Sequence, residues 1–257
     1  MGAMAESKGA QYIDRMPTAP RPSLFQRWRL PWPGLCLICR QPQWDAICHR
    51  CVTAFASPRP RCQRCALPVE GHLAPCRPCD DQPPEFDRAV AAVDYTAPWS
   101  ELIARFKFNG DLALSRPLSS LLAERLKALP ARSRPQVIIP TPLSAARLRE
   151  RGYNQTWHLA RRLSGQMGIP ALPHALRRVK DTARMMSLDA DERRRQIRHA
   201  FEVAPEHRRA LAGRHVAVVD DVLTTGATLN EITLTLQDAG VRSVSVWVLA
   251  RTPSPGQ

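Results

Sequence analysis

The sequence predicts an α/β domain built on a twisted parallel sheet with flanking helices, preceded by a small cysteine-rich, metal-built module. Three observations carry this. Val216–Val219 and Val244–Leu249 are short apolar runs rich in β-branched residues, as in strands buried on both faces of a parallel sheet. Between them Leu229, Ile232, Leu234 and Leu236 recur at roughly helical spacing and Gly240 supplies a terminator, so the unit reads strand–loop–helix–strand. All 8 cysteines fall between positions 36 and 79.

A chain of 257 residues suits one or two domains and can bury a sizeable core. No apolar run reaches the roughly 18–20 residues that span a bilayer, so no membrane insertion is expected. Residues 1–30 combine prolines and small residues without an apolar core or a cleavage pattern. They read as a disordered tail rather than a secretory signal, and the protein reads as cytoplasmic.

Residues 31–84 form the next unit. The cysteines come as four C-x-x-C pairs: Cys36/Cys39, Cys48/Cys51, Cys62/Cys65 and Cys76/Cys79. A disulfide framework belongs to secreted chains, and a redox C-x-x-C usually occurs once. Thiolates two residues apart chelate one tetrahedral ion, and two such knuckles complete a four-thiolate site, so four knuckles imply two structural Zn²⁺. Iron–sulfur ligation fits less well, because its common spacings differ. Sequence neighbours can close on one ion each, or the pairs can interleave; spacing leaves both open. His49 and His72 lie among the knuckles and are expected to be bystanders.

Asp80–Phe86 reads as a hinge, and residues 85–252 as the α/β domain. Arg88–Thr96 reads as a strand. Ser100–Leu129 reads as helix, loop at Asn109-Gly110, and helix. From Gln136 to Gly168 the pattern reads as strand, exposed loop and helix, closed near Gly168. The basic stretch 176–201 reads as a loop followed by a short helix. Trp157 and Trp247 are expected in the core.

The loop Asp220–Thr228 carries the chemistry, because it sits at the carboxyl end of a strand, where open α/β sheets bind ligands. N–H groups at a helix start favour an anion. Gly226 permits close approach, and the hydroxyls of Thr224, Thr225 and Thr228 add donors around a phosphate. Asp220 and Asp221 suit a pair of ribose hydroxyls, directly or through a hard cation. Two acids followed by Thr-Thr-Gly-x-Thr therefore read as a sugar-phosphate site. The arrangement resembles the phosphoribosyl-pyrophosphate (PRPP) motif of type I phosphoribosyltransferases.

Taken with the cysteine knuckles and the block "PTPLSAARLRERGYNQT" (140–156), the chain from about 34 to 251 resembles the ComF family of competence proteins, a double zinc ribbon joined to a phosphoribosyltransferase-like domain. The resemblance implies a type I phosphoribosyltransferase fold. It implies that Asp220 and Asp221 face ribose and Mg²⁺, and that Thr224, Thr225, Gly226, Ala227 and Thr228 cradle the 5′-phosphate. It likens the segment from Pro140 through Thr141 to Ser144 to the pyrophosphate loop, and makes Arg151, Asn154 and Gln155 candidates for pyrophosphate contacts. Lys107 matches the family's lysine before a flexible turn. Met185 and Gln196 stand where the family often has Gln and Asn. These departures touch the catalytic loop, so they weaken the expectation of catalysis more than that of PRPP binding.

Two functions follow. One is a PRPP- and Mg²⁺-binding protein acting in DNA uptake, with single-stranded DNA and DNA-uptake proteins as partners. The other is an active phosphoribosyltransferase of nucleotide metabolism with an unspecified acceptor. The charge pattern fits an anionic partner either way: the chain carries a net +14, and residues 142–214 hold 16 Arg or Lys against 7 Asp or Glu.

Overall fold

The structure, a computed structural model, describes residues 34–70, 75–180 and 198–253. The expected tail, His72, Met185, Gln196 and the arginine run 193–195 lie outside the described residues.

The cysteine-rich region holds little regular structure: a two-residue antiparallel pair, β1 (Gly34–Leu35) with β2 (Pro42–Gln43), and two short helices, α1 (His49–Phe55) and α2 (Arg77–Asp81). It docks firmly. The Trp99 indole donates to the Phe55 carbonyl at 2.7 Å, and Cys36, Ile47, Cys51 and Ala56 join the apolar cluster containing Leu118 and Leu122.

The domain behind it contains β3 (Arg88–Asp94), α3 (Trp99–Phe108), α4 (Ser115–Lys127), β4 (Val137–Pro140), α5 (Ala145–Arg151), α6 (Gln155–Met167), β5 (Leu176–Arg178), β6 (Phe201–Val203), α7 (Pro205–Leu211), β7 (His215–Leu223), α8 (Ala227–Asp238) and β8 (Ser243–Arg251). Four strands form an all-parallel sheet in the order β3-β8-β7-β4. Side chains alternate across it. Ala217, Val219, Trp247 and Leu249 face the cluster under α3, α4 and α6; Val216, Val218, Val244, Val246 and Val248 face the one containing Leu229, Ile232 and Leu236 of α8. Both faces are covered, which is why the strands read as near-continuous apolar runs. Trp247 is fully buried and Trp157 partly so. Among the described residues no helix is long and apolar enough to cross a membrane.

Three local expectations are corrected. The strand expected to stop at Val219 runs to Leu223, because Val222 and Leu223 still pair with Ala250 and Arg251; Asp220 and Asp221 therefore sit inside the strand, before its end. The expected exposed loop after β4 contains helix α5, started by Ser144, whose Oγ accepts from Arg147 N–H at 3.3 Å, and ended by Gly152 at φ +77°. Thr141 and Ser144 are buried there. Finally, the basic stretch begins and ends as paired strands: β5 lies antiparallel to β6, with Arg177 opposite Glu202.

Candidate functional site

The cysteines gather in sequence order. Cys36, Cys39, Cys48 and Cys51 form one group and Cys62, Cys65, Cys76 and Cys79 the other, with the sulfurs of each group within 4.8 Å of one another. The interleaved alternative is excluded, and neither His49 nor any other described histidine joins a group. Tetrahedral Zn–S bonds of about 2.3 Å place sulfurs about 3.8 Å apart; Cys39 and Cys48 lie 3.7 Å apart, and Cys65 and Cys76 3.4 Å. Backbone N–H groups support the sulfurs: Cys48 N–H donates to Cys36 Sγ and Cys76 N–H to Cys62 Sγ, both at 3.4 Å. Burial acts to raise the Cys36 thiol, but the N–H groups of Cys48, Cys39 and Ile38 outweigh it and bring it down to about 6. Burial and neighbouring thiols push Cys51 up to about 12. Four sulfurs gathered this closely would repel one another as thiolates and are relieved by a cation, so both groups suit a structural Zn²⁺. Elemental analysis of gently purified protein is expected to give two zinc per chain; one or none would contradict the two-site reading.

The second candidate site lies at the carboxyl end of β7. Asp221 is 2% exposed, and both its oxygens are engaged. Lys107, near the end of α3, donates to Oδ1 at 3.0 Å and lies 2.9 Å from Oδ2; Gln155 Nε2, at the start of α6, donates to Oδ2 at 3.0 Å. Arg151 Nη1 donates in turn to Gln155 Oε1 at 2.5 Å and its guanidinium lies 5.3 Å from the centre of the exposed Phe108 ring. Burial works against the Lys107 charge, but Asp221 and Asp220 outweigh it and raise its pKa, so it stays an ammonium. One chain of polar side chains thus joins Arg151, Gln155, Asp221 and Lys107 from four separate elements.

Asp220 is placed differently. It is only partly buried, and Oδ1 accepts from the Asp221 N–H at 2.8 Å. Burial first, then the adjacent Asp221 carboxylate, push it up to about 7 from an ordinary 3.8, against the pull of Lys107. The Thr141 hydroxyl lies beside it without completing a hydrogen bond of ordinary geometry. A carboxyl raised by folding favours the folded state while protonated, and that contribution is lost as pH rises from about 4 through about 7. Asp220→Asn is therefore expected to raise the melting temperature of the ligand-free protein at pH 8, with the gain fading toward pH 4. Scanning calorimetry at the two pH values checks this; an equal gain at both would contradict it.

Asn154 caps α6: its Oδ1 accepts from Thr156 N–H at 3.0 Å, while Nδ2 donates to the Thr141 carbonyl at 3.1 Å. Its amide holds the loop after β4 in place from within the protein. Beyond Leu223, Thr224 and Thr225 are exposed, and Ala227 N–H points to Thr225 Oγ1 at 3.5 Å. Gly226 takes φ +83° at the start of α8, and no side chain caps the helix there. A Cβ on Gly226 would meet Leu223 Cδ1 at 3.6 Å and Phe86 Cε1 at 3.9 Å, so it would point into the protein. Glycine is required for its left-handed backbone more than for room above the loop.

Sequence reasoning missed Arg251. Its Nε donates to the Cys65 carbonyl at 2.9 Å, and its Nη1 to the carbonyls of Leu223 at 2.9 Å and Thr224 at 2.6 Å. One guanidinium therefore ties the second cysteine group to the threonine loop. Glu85 N–H adds a second tie, to Asn230 Oδ1 of α8 at 3.1 Å. The available signal was position: an arginine at the carboxyl end of a strand adjoining the loop.

Comparison with known proteins agrees with this architecture. The phosphoribosyl transferase domain family matches residues 160–256. Competence protein F of Haemophilus influenzae is 38% identical over 213 residues, 80% of this chain and 91% of its own length. DNA utilization protein YhgH of Escherichia coli O157:H7 is 37% identical over 229 residues, 86% of this chain and 98% of its own. Competence protein ComFC of Streptococcus pneumoniae is 26% identical over 161 residues, 63% of this chain and 67% of its own. The parallel sheet with its helices is a type I phosphoribosyltransferase fold, and the two four-cysteine groups before it fit a zinc-ribbon module. Coverage of 86% of the chain cannot be met by either part alone, and the chain belongs to the ComF family of competence proteins.

Proposed function

We propose that the protein binds PRPP with Mg²⁺ over Asp220–Thr228 and serves in handling DNA taken up during natural competence. The observation that carries the ligand half is Asp220. Its carboxylate is the partly open one of the acidic pair, and the uncapped start of α8 follows across the loop after β7. In this reading Asp220 meets the ribose hydroxyls and the cation. Asp221 keeps Lys107 and Gln155 in place, with Arg151 beside them toward the pyrophosphate. Thr224, Thr225, Gly226, Ala227 and Thr228 enclose the 5′-phosphate, and Thr141 lies on the opposite wall. The names of the relatives, competence protein F and DNA utilization protein, support the DNA half.

Calorimetric titration with PRPP, with and without Mg²⁺, tests the ligand half, with release of pyrophosphate followed in parallel. Binding that requires Mg²⁺ is expected, and no heat at millimolar PRPP would overturn it. Steady pyrophosphate release would make the protein a transferase with its own acceptor. Single-stranded DNA titrated at two salt concentrations tests the second half: a steep fall of affinity with salt is expected where Lys and Arg meet phosphates. Neutralising Arg193, Arg194 and Arg195 should flatten that slope. An unchanged slope would remove that run from the DNA surface.

A further inference from the structure

A cleft of about 530 Å³ runs along β3, the edge strand opposite β4 in the sheet, and shares no lining residue with the loop 220–228. Its floor is the outer edge of β3 at Ala89–Ala92, whose small side chains turn to either face of the sheet, with Ala128 and Leu129 just past α4. Its lining carries five arginines, Arg59, Arg61, Arg88, Arg125 and Arg132, and no carboxylate.

The charge is poorly balanced. Asp94 is the one carboxylate paired with the five among the described ion pairs, and it takes both Arg59 and Arg61. Arg88 and Arg125 are steered by neutral acceptors. Arg88 donates to Gln63 Oε1 at 3.2 Å and Ser133 Oγ at 3.4 Å; Arg125 donates to the carbonyls of Ala56 and Ala92. Such contacts fix a guanidinium's direction without cancelling its charge. Burial, then the like charges of Arg59, Arg125 and Arg251, hold Arg61 down to about 10. Crowded cations in a partly enclosed cleft are relieved by an anion. The planar guanidinium fork matches phosphate oxygens in pairs. The cleft's size falls within the range of roughly 300–1,000 Å³ that encloses small organic ligands.

We infer that this cleft is a second phospho-ligand site, taking a nucleoside di- or triphosphate with its phosphates among the arginines and its base against the Ala89–Ala92 floor. The site is independent of the loop crevice, so each can fail without the other.

ADP and inorganic tripolyphosphate are titrated separately into zinc-loaded wild-type protein and into Gly226→Val, in which the loop is disabled. ADP is expected to bind both, more tightly than tripolyphosphate, and Arg88→Gln with Arg132→Glu is expected to weaken it at least tenfold in both. Unchanged affinity in the arginine variant would overturn the site, leaving the cleft as glue between ribbon and sheet. So would loss of ADP binding in Gly226→Val alone, and equal affinity for tripolyphosphate would remove the base from the floor. If the double variant melts early, Arg132→Gln decides, because that side chain is exposed: a threefold or greater loss supports the site and none overturns it.

Discussion

Cys79→Ser is expected to weaken PRPP binding about 100-fold or more, although Cys79 lies in the ribbon. Structural zinc contributes on the order of 10 kcal/mol to the folding of small four-cysteine units, so losing one ligand should unfold the second group locally. Arg251 then loses the Cys65 carbonyl that fixes one end of its guanidinium, and the Leu223 and Thr224 carbonyls lose their shared anchor. Phe86, packed beneath Gly226, and Glu85, bonded to Asn230, leave the same region free. Cys39→Ser breaks the first group instead. That group packs on the cluster containing Leu118 and Leu122, so its loss should lower the melting temperature but change PRPP affinity less than about threefold. Arg251→Ala, which keeps the zinc, should fall between them at about tenfold. Calorimetry with zinc analysis on the three variants separates the cases, and equal affinity in all three would mean that ribbon and domain act independently. The Arg251 contacts, which span the second cysteine group and the threonine loop, argue against such independence.

Lys107→Met is expected to cost about 3–5 kcal/mol of stability at neutral pH, because it leaves the buried Asp221 carboxylate without its cation. At about 2–4 °C per kcal/mol for a chain of this size, the melting temperature should drop by roughly 10 °C. Adding Asp221→Asn removes the stranded charge while keeping an acceptor and the Gln155 contact. The double variant should recover to within about 1 kcal/mol of wild type. Urea denaturation of wild type, both single variants and the double variant gives the coupling directly. A Lys107→Met protein as stable as the double variant would show that the pair does not hold the crevice together.

Much of this was legible before any fold was drawn. Eight thiols in four evenly built pairs admit few chemistries, and Val216–Asp221 followed by Thr-Thr-Gly-x-Thr marks a strand-to-helix loop from residue types alone. Ser144 and Gly152 also carried cap signals for α5 that the surrounding arginines and polar residues obscured. Other features are tertiary by nature. That Asp221 turns inward to Lys107 while Asp220 stays partly open depends on the pleat of β7, which no local pattern separates for two adjacent acids. The Arg251 tie joins residues 186 apart in sequence, and the five arginines of the β3 cleft meet because the docked ribbon brings Arg59 and Arg61 beside Arg88, Arg125 and Arg132 of the domain. The antiparallel pairing of Leu176–Arg178 with Phe201–Val203 was hidden because three-residue strands carry too little periodicity to count.

In the function proposed above, a phosphoribosyl ligand and a divalent cation meet at Asp220. Calorimetric titration of PRPP with Mg²⁺ into wild type and Asp220→Asn, each at pH 6 and pH 8, tests it most directly. The raised Asp220 must lose its proton to receive the cation, so wild-type affinity is expected to rise severalfold between the two pH values, and Asp220→Asn is expected to bind at least tenfold more weakly at pH 8 and to lose the pH dependence. Affinity in Asp220→Asn equal to wild type at both pH values, or binding in wild type unaffected by removing Mg²⁺, would contradict it.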